Sequence, residues 1–169
     1  MAIRDIRLFG DPILNTEAAE ITEFSPSVRT LALDMLETME DAGGVGLAAN
    51  QVGIAKRIFV YDCTKVQPGM RGVLINPTWQ PYGSKLQRGR EGCLSIPGIS
   101  VDTTRYQTVT VSGFDMEGRP VGFVVSGLMA RCVQHETDHL DGVLFLQRLD
   151  PEDRKAAMRE IRQSDWFNS

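Results

Sequence analysis

The chain has 169 residues and a mass of 18.7 kDa, enough for one domain (1–169) with a substantial core and too few for two. Hydrophobic residues at 42% and charged residues at 24% fit a soluble globular protein, and a net charge of -4 gives no electrostatic footprint for nucleic acid and little pull towards anionic membrane. The opening MAIRDIRLFGDPIL has no apolar run long enough for a signal peptide or membrane span, and three cysteines argue against a disulfide framework, so the expected compartment is the cytosol.

Ser25-Pro26 reads as an N-cap followed by proline at the first helical position, with apolar residues from Val28 to Met39 at helical spacing and Gly43-Gly44 as the stop. A glycine-rich turn follows. Arg57 to Cys63 is rich in β-branched and aromatic residues and predicts a strand, as do Gly72 to Pro77, Lys85 to Glu91 and Gln107 to Phe114. The last of these meets Pro120 to Val125 across Asp115-Met116-Glu117-Gly118, a hairpin signal. A second helix is expected from Gly127 to Leu140, ended by Asp141-Gly142, and a third from Asp150-Pro151 to about Gln163. The expected class is α+β, with antiparallel sheets packed around a central metal-binding helix and helices near both ends.

That central helix carries the chain's only two histidines, in His135-Glu136-Thr137-Asp138-His139. Residues four apart share a helix face, so both imidazoles can hold one metal, while Glu136 beside them is free to act as a general base on water. A catalytic site needs a third protein ligand. Cys132 shares the face but lies seven residues from His139, about 10 Å along the axis, and reads as a packed thiol. Cys63 ends an apolar strand and reads the same way. Cys93 stands in Arg90-Glu91-Gly92-Cys93-Leu94-Ser95, a strand end running into a loop, where Gly92 lets backbone or substrate approach closely. A Cys93 thiolate against the helix completes a Cys-His-His site; a buried loop cysteine is the alternative. Gly44-Val45-Gly46-Leu47-Ala48-Ala49-Asn50-Gln51 reads as a helix stop and tight turn, or as exposed backbone for a peptide substrate with Gln51 aimed at a developing oxyanion.

Together, GVGLAANQ at Gly44 to Gln51, EGCLS at Glu91 to Ser95 and QHETDHLDG at Gln134 to Gly142 resemble the signature of the peptide deformylases, in order, spacing and total length. The resemblance implies that Cys93, His135 and His139 hold the metal, that Glu136 is the catalytic acid/base, and that Gln51 and the Leu94 backbone N–H form the oxyanion hole. It implies removal of the formyl group from the N-terminal methionine of newly made proteins, releasing formate. Gly46 and nearby backbone would hold the nascent peptide as an added strand. Val45, Leu94, Leu128 and Cys132 match apolar lining positions, while Arg131 is a charged neighbour that bears on the breadth of the pocket.

A zinc endopeptidase shares the H-E-x-x-H helix but commonly takes another His or Glu as third ligand. A closed structural metal site would need a fourth ligand, for which Cys63 is the candidate. A Cys-His-His site accepts iron(II), zinc, nickel or cobalt, and the resemblance implies iron(II). Arg154, Lys155, Arg159 and Arg162 on the last helix suit a solvated face better than a transient contact with ribosomal RNA. No membrane partner is expected.

Overall fold

In the computed structural model, which describes residues 2–169, the predicted helices form where periodicity placed them. Helix α1 spans Pro26–Asp41; the Ser25 hydroxyl shares a hydrogen bond with Ser27 instead of capping the helix. The strands are β1 (Gly46–Ala48), β2 (Ile58–Asp62), β3 (Arg71–Pro81), β4 (Leu86–Cys93), β5 (Ile96–Tyr106), β6 (Thr108–Phe114) and β7 (Pro120–Ser126). Helices α2 (Gly127–Leu140), α3 (Pro151–Gln163) and α4 (Asp165–Asn168) follow. The architecture is α+β. An antiparallel sheet runs in the order β1-β2-β3-β6-β7, and β4 and β5 form a separate antiparallel hairpin.

Period-two alternation in β2 explains the layering. Ile58 and Val60 join α1 residues such as Met35 and Met39 in one apolar cluster. Phe59 points the other way and meets Leu74, Val111 and the α2 residues Met129 and Val133. A third cluster, with Ile96, Ile99, Phe145 and Ile161 at its centre, ties the β4–β5 hairpin to α3. Helix α2 therefore lies between the large sheet and the hairpin, and every residue from Met129 to Leu140 is buried.

Both ends of α2 are fastened by side chains from elsewhere, since Ser126 provides no side-chain cap. Gln67 accepts from Met129 N–H at 2.8 Å and donates to Ser126 C=O at 3.0 Å. At the other end Arg57 donates to Leu140 C=O at 3.0 Å and pairs with Asp141 at 2.7 Å, a cation at the negative end of the helix. Asn50 donates to His139 C=O. In mid-helix the Gln134 amide pairs with both backbone groups of Tyr106, at 2.9 and 3.0 Å, joining α2 to β5.

Three elements differ from the sequence expectation. Strand β3 continues to Pro81 through an irregularity after Ile75, where Asn76 takes φ 49° and its amide pairs with Ile21 N–H and C=O, both at 2.9 Å. Strand β5 was not expected, because its buried positions include Thr103 and Arg105, so no apolar alternation marks it. Strand β1 lies inside the glycine-rich segment read as a turn; it has only three residues, all buried.

Candidate metal centre and substrate cleft

Strand β4 delivers Cys93 to the face of α2 that carries the two histidines. Cys93 Sγ lies 3.3 Å from His139 Nε2, and one donor atom from each of Cys93, His135 and His139 falls within 4.8 Å of the others. With metal–sulfur and metal–nitrogen bonds of about 2.3 and 2.0–2.1 Å, tetrahedral ligation puts S and N roughly 3.5 Å apart. The donor set therefore fits a single divalent ion. Cys132 and Cys63 stand outside this group: Cys132 Sγ is 3.6 Å from Val45 C=O, and Cys63 Sγ is 3.9 Å from Met129 Sδ in the core. The fourth ligand that a closed structural site would require is thus not supplied by Cys63.

The imidazole orientations follow from their surroundings. His135 Nδ1 donates to Glu91 Oε2 at 2.7 Å, which leaves the lone pair on Nε2 for the centre. Glu91 is also held by Arg105, at 3.1 and 2.6 Å, and by Arg131 at 2.8 Å. Burial alone would raise the Glu91 carboxyl, but His135 and Arg105 hold it well below the usual carboxylate range. Arg105 reaches on to Asp138 at 2.8 Å, and Arg148 closes the chain of charges with two bonds to Asp138. His139 is fully buried, with Nδ1 lacking a partner among the described residues, so packing sets its ring.

Sequence reasoning assigned no role to Glu91, Arg105 or Asp138. The signal for Glu91 was available: alternation places residues 91 and 93 on one side of a strand, and a histidine ligand needs an outer acceptor. Arg131, expected to affect the breadth of the pocket, is buried with its charge engaged by Glu91 and its other nitrogen 3.3 Å from Gln87.

Glu136 belongs to no ion pair. It is 3% exposed, and its Oε1 lacks a partner among the described residues. Burial pushes its carboxyl up to about 7 against the lowering pull of His135. Gly46 makes room for it: a Cβ there would stand 2.8 Å from Cys132 Sγ and 2.9 Å from the Glu136 carboxyl carbon. Gly44 likewise accommodates Leu94, whose Cδ1 would be 2.7 Å from an added Cβ.

Gln51, fully buried, accepts from Ala48 N–H at 2.9 Å, which fixes which end of its amide faces the centre. Its nitrogen donates to Ser95 Oγ at 3.1 Å and lies 3.6 Å from Cys93 Sγ. Leu94 occupies the turn between β4 and β5, and its N–H has no acceptor among the described residues. A cleft of about 680 Å³ runs over these groups, with Val45, Gly46, Gly92, Leu94, Leu128 and Cys132 in its walls and His135 and Glu136 at its floor. Such a site brings three donor atoms able to hold a metal, a buried acid and directed N–H donors to one cleft.

Known proteins resemble this chain along nearly its whole length. The sequence profile of the polypeptide deformylase family matches residues 3–155. Peptide deformylase 1 of Corynebacterium efficiens is 62% identical over 168 residues, covering 99% of both chains. The peptide deformylase of Acidothermus cellulolyticus is 53% identical over 166 residues, covering 98% of this chain and 89% of its own. Among solved structures, a peptide deformylase from Legionella pneumophila superposes with a TM-score of 0.88 at 39% identity, covering 96% of this chain and 95% of its own. The Ehrlichia chaffeensis enzyme in complex with actinonin gives 0.89 at 34% identity, covering 98% and 99%. By sequence along its full length and by fold, this chain belongs to the polypeptide deformylase family.

Proposed function

We propose that, in the deformylase reaction, Cys93, His135 and His139 hold the catalytic metal, Glu136 moves the proton, and Gln51 with the Leu94 N–H stabilises the oxyanion. Family membership establishes the enzyme as one that removes the N-formyl group from newly made peptides with the help of a metal ion. The observation that carries the residue assignment is the buried Glu136, with a free oxygen, beside three converging donor atoms.

A divalent ion at these donors supplies Lewis acidity and makes water a competent nucleophile near neutral pH. Burial raises the proton affinity of the Glu136 carboxyl, which suits a group that both takes and returns a proton. It accepts a proton as water attacks the formyl carbon and returns one to the leaving amine, giving formate and a free N-terminus. The Gln51 amide and Leu94 N–H donate to the oxygen on which negative charge gathers. Gly46, on the outermost strand β1, offers its backbone to the peptide as an added strand with Gly92 across the cleft, while Val45, Leu94, Leu128 and Cys132 give the methionine side chain an apolar wall.

Iron(II) is the proposed resident ion, and zinc, nickel and cobalt suit the same donors. Residues 1–169 are proposed to act as one catalytic domain, since α2 is shared between the sheet and the hairpin. No helix among the described residues is long and apolar enough to cross a membrane, and the cytosol is the proposed compartment. On α3, Arg154 is engaged with the carbonyl groups of Leu146 and Gln147, while Lys155, Arg159 and Arg162 are exposed. These fit a solvated face; salt-sensitive co-sedimentation with ribosomes, lost on their replacement, would argue for a transient ribosome contact instead.

The test is kcat/KM for formyl-Met and acetyl-Met versions of one short peptide. Steric exclusion of the acetyl methyl predicts discrimination beyond the ~10–200-fold that one methylene is worth in a hydrophobic pocket. Comparable values for the two would overturn the proposed site geometry.

A further inference from the structure

The family profile ends at residue 155, yet Trp166, beyond it, reaches back to the Pro97–Ile99 margin of the cleft. Trp166 Nε1 donates to Pro97 C=O at 3.0 Å, and its ring packs against the cluster containing Ile96 and Ile99. Pro97, Gly98 and Ile99 form one wall of the substrate cleft, and Gly98 takes φ +79°, so this stretch of β5 is bent where Trp166 seizes it. The neighbouring Phe167 packs on Phe9 with ring centroids 6.1 Å apart. Phe9 N–H donates to Ser95 C=O at 2.8 Å, and Ser95 Oγ is the partner of the Gln51 amide.

We infer that Trp166 and Phe167 act as a positioning clamp for substrate: Trp166 sets the Pro97–Ile99 wall that meets peptide residues beyond the formyl-methionine, and Phe167 steadies the segment carrying Ser95. The physical case is one of access and anchoring. The walls of an open cleft are held only from behind, and the indole is the one side chain hydrogen-bonding the Pro97 carbonyl among the described residues. Its N–H bond fixes the height of the wall and its ring fixes the tilt. Among the described residues neither aromatic hydrogen-bonds or ring-stacks with Cys93, His135, His139 or Glu136, so the clamp governs how substrate is seated and leaves the proton transfer unchanged. The inference rests on the deformylase reading of the cleft.

The experiment uses the full chain loaded with nickel, and compares formyl-Met tripeptides with formyl-Met amide, which has no later residues. Trp166→Ala is expected to raise KM for the tripeptide roughly tenfold, with kcat and metal stoichiometry unchanged and KM for the amide close to wild type. Trp166→Phe, which keeps a ring but loses the donor, is expected to lie between the two and provides the same comparison if the alanine variant does not fold. A lower melting temperature with unchanged tripeptide KM would overturn the clamp and leave Trp166 as packing. Equal losses on tripeptide and amide would overturn it too. Wild-type protein inactive on both substrates would instead count against the deformylase assignment, which keeps the two failures apart.

Discussion

Glu91 and His135 are 44 residues apart in the chain, yet Oε2 and Nδ1 meet at 2.7 Å inside the protein. This bond orients His135, a proposed metal ligand, and the same carboxylate neutralises Arg105 and Arg131. Glu91→Gln keeps the shape but removes the charge. We predict a ~10–100-fold loss in metal affinity and a stability loss of about 3–5 kcal/mol from two buried arginines left short of a counter-charge. Chelator competition and urea unfolding measure these; wild-type affinity in the variant would show that His135 needs no outer acceptor.

The two buried glutamates should respond to pH with opposite sign. Burial pushes the Glu136 carboxyl up to about 7 in the metal-free fold from the ordinary 4.5, so its contribution to stability is full below 4.5 and lost as pH rises through about 7. In protein stripped of metal by a chelator, the loss across that window is on the order of 3 kcal/mol, and Glu136→Gln should abolish it. The Glu91 pKa is lowered on folding, so its stabilisation is present above 4.5 and disappears as pH falls further. Parallel stability profiles for wild type and Glu136→Gln would refute the first half of this prediction. In the loaded enzyme, Glu136→Ala should retain stoichiometric metal and lose at least ~10²-fold in turnover.

Gly46→Ala adds one carbon where Glu136 and Cys132 leave no room. The carboxyl must move, and misplacement of a catalytic group by about an ångström can cost ~10²-fold. We expect kcat to fall by that order with metal retained. A variant of normal turnover would mean that Glu136 works from another rotamer.

Cys93→Ala should lose tight metal binding, whereas Cys63→Ala and Cys132→Ala should keep the metal and be destabilised by the loss of buried atoms. Metal analysis after gel filtration separates the three. Iron-loaded enzyme should also lose activity in air faster than nickel- or zinc-loaded enzyme, because the thiolate and the ferrous ion are both oxidisable.

Gln51→Ala removes a directed N–H while Ala48 and Ser95 lose a partner. If Gln51 acts on the oxyanion, kcat falls ~10²–10³-fold with KM and metal nearly unchanged. A raised KM at constant kcat would make it a ground-state binding residue.

Sequence revealed the parts of this molecule that depend on local order. The helix Gly127–Leu140 and the helix opening at Pro151 were legible because caps, proline and spacing lie within a few residues of one another. The histidines were legible because a helical turn alone brings them together. Cys93 needed a resemblance, since nothing local reports that β4 ends against α2. Arg105 and Asp138 were illegible for a related reason: a charged residue in a strand looks solvent-facing until its partners, 14 and 33 residues away, are known. Strand β5 was lost with them, because its second half turns Thr103 and Arg105 inward where an apolar alternation would be looked for. The short β1 was hidden because glycine signals a turn by default, while here it clears space for a neighbouring carboxylate.

The complete burial of α2 from Met129 to Leu140 also has a kinetic meaning. Backbone amides in such an element are expected to exchange with deuterium only when the whole molecule opens. His135 and His139 are thus expected in the slowest-exchanging part of the protein, and the cleft opens beside His135. Metal released faster than the α2 amides exchange would have left the folded enzyme through that opening; metal released at the same rate would have waited for the fold to come apart.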